Sequence, residues 1–250
     1  MADLFVYRAE PPASLAGNDI VTLVKAQAVA GLNVVTPGAP VQPDAIKADP
    51  HGALTNLSAA LKTALAAGDS PVKIAMPLPD SLGLDPMLLG GLIGNLITEG
   101  ARIIEFDARP YIDPDSDASN DGFTLGGLQR PDGFRIGMQM GALAGWPAER
   151  IATVAEELQA DRYTFAITQG DDLSKLSSVP EQAMIVLGVV DPDGGSSDED
   201  VLALIDAVAE IVDQDRLALT TSAAITDADA QERVLRQVAD ISTQFWGFAI

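Results

Sequence analysis

The stretch RIIEFD, residues 102–107, places two carboxylates, Glu105 and Asp107, two positions apart on a run that reads as a strand. Side chains alternate along a strand, so both point the same way, either into an interior or toward a layer of helices. A carboxylate wedged between strand and helices would be badly desolvated, which favours the interior near the strand's carboxyl end. Asp107 is the best single candidate there for contact with a ligand. Arg109, just beyond, is a second candidate, or it pairs with Asp107 and neutralises it, leaving a filled and inert site.

Other strand ends carry uncharged hydrogen-bonding groups: Gln139, Thr168, Gln169, Thr220, Thr221 and Ser222. They could line a polar small-molecule site, or they could satisfy one another and trapped water. His51 is the only histidine and could serve as a general base. No positioned partner is visible in the sequence, so a structural or merely solvated role is expected of it.

The chain has 250 residues and no cysteine, which removes disulfides, thiolate metal ligands and a cysteine nucleophile together. Acids outnumber bases 36 to 15, for a formal charge of −21. A surface with that field repels phosphate and anionic lipid, so no nucleic-acid or membrane partner is expected. The acids are mostly aspartate and the bases include few lysines. That balance fits a surface kept hydrated at high salt, and equally an ordinary acidic protein. The opening residues lack an export signal and no long uncharged apolar run appears, so a cytoplasmic location is expected.

Two acidic segments invite ion-binding readings. DPDSDASND, 113–121, spaces its acids like the start of a calcium loop, but Ala118 stands where that loop needs glycine and its closing glutamate is missing. A solvated acidic loop is expected. DPDGGSS, 191–197, has the glycines and serines of a phosphate cradle, but Asp191, Asp193, Asp198 and Glu199 crowd the same turn and would repel the anion.

The elements that would position these residues alternate throughout. Strand-like apolar runs fall at 4–8, 33–36, 72–77, 102–107, 134–139, 162–168, 184–191 and 216–221, eight in all. Helical patterns lie between them with readable ends. Ile20, Leu23, Val24 and Ala28 form a stripe stopped by Gly31. Asp49 reads as an N-cap with Pro50 at the first helical position, and Asp85–Pro86 repeats that start. Ile151, Val154 and Leu158 form another stripe, Ser196 and Glu199 have the spacing of a capping box, and a last helix carries Val234, Leu235, Val238, Ile241 and Phe245. The segments GFTLGGLQR and DLSKLSSVP have room for only a turn or two each.

Strands alternating with helices imply parallel pairing, and near-continuous apolar strands imply burial on both faces. Eight such units in one chain fit a single-domain (β/α)8 TIM barrel spanning residues 1–250. An open doubly wound sheet is the alternative, but no G-x-G-x-x-G follows the first strand.

Seven segments in order also resemble the carboxyl-terminal barrel of cobalamin-independent methionine synthase, in the uroporphyrinogen-decarboxylase-like superfamily. DIVTLVKAQAVAGLNVVTPGA resembles its Q-x-x-A-G helix and following strand, and VKIAMPLPDSLG its K-x-x-x-P-x-P segment. GARIIEFDARPY resembles its strand ending D-E-P, and FRIGMQMGALAG its strand ending H-x-C. MIVLGVVDPDGG resembles its L-G-V-V-D strand, RLALTTSAAI its L-x-P-x-C-G strand end, and VADISTQFWG its closing helix.

That resemblance implies a thiol methyltransferase in which zinc ionises homocysteine. The zinc ligands of the family, a His, two Cys and a Glu, fall on Gln139, Gly141, Ala223 and Ala166 of this chain. Alanine and glycine offer no donor and glutamine is a poor one, so no metal and no other cofactor is expected. A free thiol of pKa near 8.5 is only about 3% thiolate at neutral pH, so the family reaction loses its activation. Asp107 matches the family aspartate that holds the substrate amine, while Ala108 and Arg109 replace its Glu and Pro. Two functions are left open. One is binding of a small amino-acid-like or thiol-bearing ligand without metal. The other is a non-catalytic partner or regulatory subunit of an active family member, or a homo-oligomer.

Overall fold

A computed structural model describes residues 43–67, 73–77, 86–190, 197–224 and 245–249. Short helix α1, Pro43–Ala48, leads into α2, Pro50–Ala67, and β1, Lys73–Pro77. Then come α3, Pro86–Thr98; β2, Ile103–Asp107; a 3-10 turn, Arg109–Ile112; α4, Ser119–Gly126; and β3, Arg135–Ala142. The remainder is α5, Ala148–Leu158; β4, Arg162–Ile167; a 3-10 segment, Leu173–Ser178; β5, Ala183–Val190; α6, Asp198–Ala209; β6, Leu217–Ala224; and β7, Phe245–Ala249.

Among the described residues the strands form one seven-stranded sheet in chain order, and every neighbouring pair is parallel. This is the α/β architecture that the alternating pattern implies. The expected strands at 4–8 and 33–36, the helix ending at Gly31 and the turn at 191–196 lie outside the described residues.

Helix starts follow their local chemistry. The Gly52 amide donates to Asp49 Oδ1 at 2.9 Å, so Asp49 caps α2 and Pro50, which needs no donor, fills the first turn. The cap of α6 differs by one residue from expectation: Ser197 rather than Ser196 accepts from a helix amide, that of Asp200, at 3.1 Å. Ser197 in turn donates to the Asp200 carboxylate at 2.7 Å, so the reciprocal partner is Asp200 and not Glu199. Both serines have the capping chemistry, and position in the fold chooses between them.

Phe245 is a correction of kind. It opens strand β7 instead of ending a helix, and pairs beside Leu219 of β6. FWGFA is rich in aromatic residues that favour a pleated surface, and its glycine disfavours a helix interior.

The two faces of the sheet differ. Ile104, Phe106, Ile136, Met138, Phe165, Ile185 and Leu219 join the buried faces of the helices, including Leu61, Leu96, Ile151, Val154, Val201 and Val208, in one apolar cluster. Each such residue removed from water contributes about 1.5–3 kcal/mol. The alternate set, including Ile103, Glu105, Gln139, Thr164, Ala166, Met184 and Val186, points away from that cluster and is also buried. This second face carries the buried polar residues of the sheet.

Candidate functional site

Four of the candidate residues meet on that second face, toward the carboxyl ends of the strands. Strand β2 stops at Asp107 because the next residues turn: Ala108 takes a bridge conformation and Arg109–Ile112 wind into a 3-10 turn with Pro110 in its first positions. The turn folds Arg109 back on Asp107. The Arg109 amide donates to Asp107 Oδ1 at 3.0 Å, its Nε to the same oxygen at 2.8 Å, and its Nη2 to Oδ2 at 2.5 Å. Both carboxylate oxygens are engaged by one guanidinium, a two-toothed geometry. The pair sits at the surface, with the aspartate side chain 25% and the arginine side chain 48% exposed.

Strand β3 supplies the next element. The Ala108 amide donates to the Gln139 carbonyl at 3.0 Å, tying the turn to β3. Expected to end at Gln139, β3 continues to Ala142 through a bulge between Gln139 and Gly141. Gly141 carries this irregularity with φ +73°, where an L side chain is strained. A Cβ there would stand 2.9 Å from Arg109 Cδ and 3.1 Å from its Cγ. The aliphatic stem of Arg109 therefore lies across Gly141.

Behind this pair the register sets a row across the sheet: Pro77, Asp107, Gln139, Thr164 and Met184 are successive partners on β1 to β5. One step deeper, Glu105 stands beside Ala75 and Gly137. Glu105 is 5% exposed, and both it and Gln139 are engaged by neighbours. A carboxylate this deep persists only with such partners, because bare burial of its charge is costly. The structure thus brings Glu105, Asp107, Arg109 and Gln139 to one patch. It adds Thr164, buried and in register with Gln139, which sequence reasoning did not single out.

The remaining candidates are not drawn in. Thr168 lies past the end of β4, exposed, where its amide donates to Asp171 Oδ2 at 2.8 Å and its hydroxyl lies 3.2 Å from the same oxygen. It closes a local turn. Gln169 is exposed beside it. His51 is exposed in the first turn of α2, its carbonyl accepting from the Thr55 hydroxyl at 2.9 Å. Thr220, Thr221 and Ser222 lie within β6 rather than at its end, since β6 runs on to Ala224. Ala166 lies within β4, and Ala223 within β6.

The acidic loop after β2 is held by groups that sequence reasoning missed. Arg150, in the first turn of α5, donates through Nε to the Tyr111 carbonyl at 3.0 Å and through Nη2 to the Ser116 carbonyl. The Tyr111 hydroxyl donates to the Asp121 carboxylate, and both side chains are buried. Asp117 accepts from the Ser119 hydroxyl at 2.6 Å and amide at 2.9 Å, bonds that hold its carboxyl below the usual range. The acids thus serve turns, and among the described residues no group of three or more His, Cys, Asp or Glu side chains gathers as a metal site. A basic residue opening the helix beyond an acidic loop was the available signal for Arg150. Among the described residues, no helix is long and apolar enough to cross a membrane.

No protein-family model matches the sequence, and no curated protein matches it. Solved structures do share its fold. A Listeria monocytogenes protein provisionally named vitamin-B12 independent methionine synthase superposes with a TM-score of 0.60 at 17% identity, covering 91% of this chain and 87% of that one. A B12-independent methionine synthase from a Shewanella species, solved with selenomethionine, gives 0.60 at 15% identity, covering 96% of each chain. The oxidized homocysteine methyltransferase of Escherichia coli gives 0.56 at 12% identity, covering 90% and 85%. At these identities the likeness is one of fold.

Proposed function

We propose that this chain is a methionine-synthase-like (β/α)8 barrel that has lost thiol methylation and works as a non-catalytic binding partner. The observation that carries the reading is the Asp107–Arg109 pair lying over Gly141. In the family that the sequence resembles, the position of Asp107 holds the substrate amine and that of Gly141 supplies a thiolate to zinc. Here a guanidinium occupies both oxygens of the first, and the stem of the same side chain covers the second. Gln139, Ala166 and Ala223, at the other ligand positions, supply no strong donor.

Closure of the barrel belongs to this proposal. All the helices whose buried residues join the cluster pack on one face of the sheet, yet the opposite face is buried as well. A sheet curled on itself buries that face without a second helical layer.

The test is metal analysis of protein purified from zinc-supplemented medium, together with a methyl-transfer assay using homocysteine and folate donors. No stoichiometric zinc and no transfer above the uncatalysed rate are expected. Zinc at one per chain, or turnover, defeats the proposal.

A second reading, the binding of an amino-acid-like ligand, is favoured by the partial exposure of both partners. A zwitterion could insert between them, its ammonium on Asp107 and its carboxylate on Arg109, exchanging one ion pair for two. A thermal-shift screen of amino acids, thiols and folates separates the readings. Stabilisation that Asp107→Asn abolishes favours the ligand; no shift favours the partner role.

A further inference from the structure

A groove of about 840 Å³ opens on the helical layer between α3, α4 and α5, lined by Met87, Gly90, Phe123, Gly126, Leu128 and Glu156 among others. Met87 is 86% and Phe123 87% exposed, although each is a large apolar side chain. Together they give the groove an apolar rim.

Helix α3, which enters the groove at Met87 and Gly90, gives a second, independent observation. Helix α3 carries Gly90, Gly91 and Gly94 within 13 residues, and a Cβ added at any of them, or at Gly126, would meet nothing within 4 Å. Glycine is the poorest helix former after proline, so three in one helix call for a reason. Among the described residues nothing crowds them. Gly90 and Gly94, one turn apart on the face that begins at Met87, instead leave a smooth track on which a second helix can approach closely.

Charge decides what that helix is. Glu156 and Glu157 line the groove, the latter also accepting from the Ala118 amide at 3.3 Å, and among the described residues no lining side chain is basic. The whole chain carries −21, so a second copy would be repelled, and a few exposed apolar side chains fall short of the area that a stable dimer buries. An amphipathic helix needs only such anchors at helical spacing. We propose that this groove docks a cationic amphipathic helix of another protein, with apolar anchors against Met87 and Phe123 and Lys or Arg toward Glu156. The inference rests on the reading of the chain as a binding partner and gives that role a surface and a partner chemistry.

The test uses the full chain and a fluorescein-labelled amphipathic peptide of Leu and Lys, read by anisotropy at physiological salt. A peptide with Glu in place of Lys is the counterpart. The Lys peptide is expected to bind, and Phe123→Ser and Met87→Ser each to weaken it about tenfold. Both positions are exposed, so circular dichroism and melting should stay unchanged. Three outcomes overturn the proposal: no binding of the Lys peptide, binding indifferent to Phe123→Ser, or self-association that Phe123→Ser abolishes. The methyl-transfer assay on the same preparation is a separate readout. Turnover with intact peptide binding defeats the non-catalytic reading and leaves the groove standing, while loss of binding without turnover does the reverse.

Discussion

The side chain of Arg109 runs over Gly141, so near that a methyl group at Gly141 would stand 2.9 Å from Arg109 Cδ. One residue thereby links two strand ends: its head grips Asp107 at the end of β2 while its stem covers the bulge of β3. The mouth of the sheet is organised around that side chain.

Gly141→Ala is expected to destabilise the protein by about 1–2 kcal/mol from the left-handed backbone alone, with a further cost from the Arg109 contact. Urea denaturation of both single variants and of the double variant with Arg109→Ala separates the two contributions. If the effects simply add, Arg109 does not press on Gly141.

Arg109→Ala by itself should change stability by less than about 1 kcal/mol, because exposed ion pairs contribute little. Its effect should appear in ligand response instead. If removal of the guanidinium leaves Asp107 available, amines should raise the melting temperature of the variant more than that of the parent protein.

Gly122 meets the Glu157 carbonyl where α4 crosses α5, with no room for a Cβ. The obstacle is backbone, so Gly122→Ala should force the helices apart at about 1–3 kcal/mol. Hydrogen exchange should quicken in α4. Unchanged exchange there would show that the crossing adapts without cost.

Trp146 is fully buried, donates from Nε1 to the Met140 carbonyl at 2.7 Å, and packs edge-on against Phe165 with centroids 6.4 Å apart. Trp146→Phe keeps an aromatic ring but strands that carbonyl beside Gly141, for a loss of about 1–3 kcal/mol in chemical denaturation. A neutral substitution would mean that water or another donor replaces the indole.

Two groups tilt stability with pH in opposite directions. Burial pushes the Tyr163 phenol above its ordinary value; its hydroxyl donates to the Ala155 carbonyl at 2.7 Å and accepts from the Ala160 amide at 2.9 Å. The fold thus favours the protonated phenol, so this contribution is complete below about pH 10 and lost as pH rises through the folded-state value. Tyr163→Phe should flatten the alkaline limb of the stability profile. Glu99 is held below the usual carboxylate range, first by the Ser58 hydroxyl and then by Lys62 at 3.1 Å, which ties α3 to α2. That contribution is present above the unfolded carboxylate value and lost as pH falls through the folded one, so Ser58→Ala should raise the pH of acid unfolding.

Much of the scaffold was legible because its signals are local. Asp49 and Pro50 start a helix whatever surrounds them, and runs such as MIVLGVV are too apolar and β-branched for any place but a buried strand. The placement of Glu105 and Asp107 on one face followed from their spacing, since alternation on a strand needs no tertiary knowledge. Local signals failed where two neighbours had equal chemistry, as Ser196 and Ser197 do. They failed again at Phe245, where the strand exists because β6 offers an unpaired edge. They were silent at Met87 and Phe123, because an apolar residue in a helix does not announce which way the helix will face.

Sequence alone determined the alternation of strands and helices, the acidity, and the absence of cysteine, because these depend on residue types and periods along the chain. It raised the pairing of Asp107 with Arg109 as one of two outcomes without choosing. Only the tertiary structure decided that choice, by winding a 3-10 turn that folds Arg109 back and by running β3 past its expected end so that a bare glycine lies beneath. Contacts between residues distant in sequence are set by register and packing, and no local pattern encodes those.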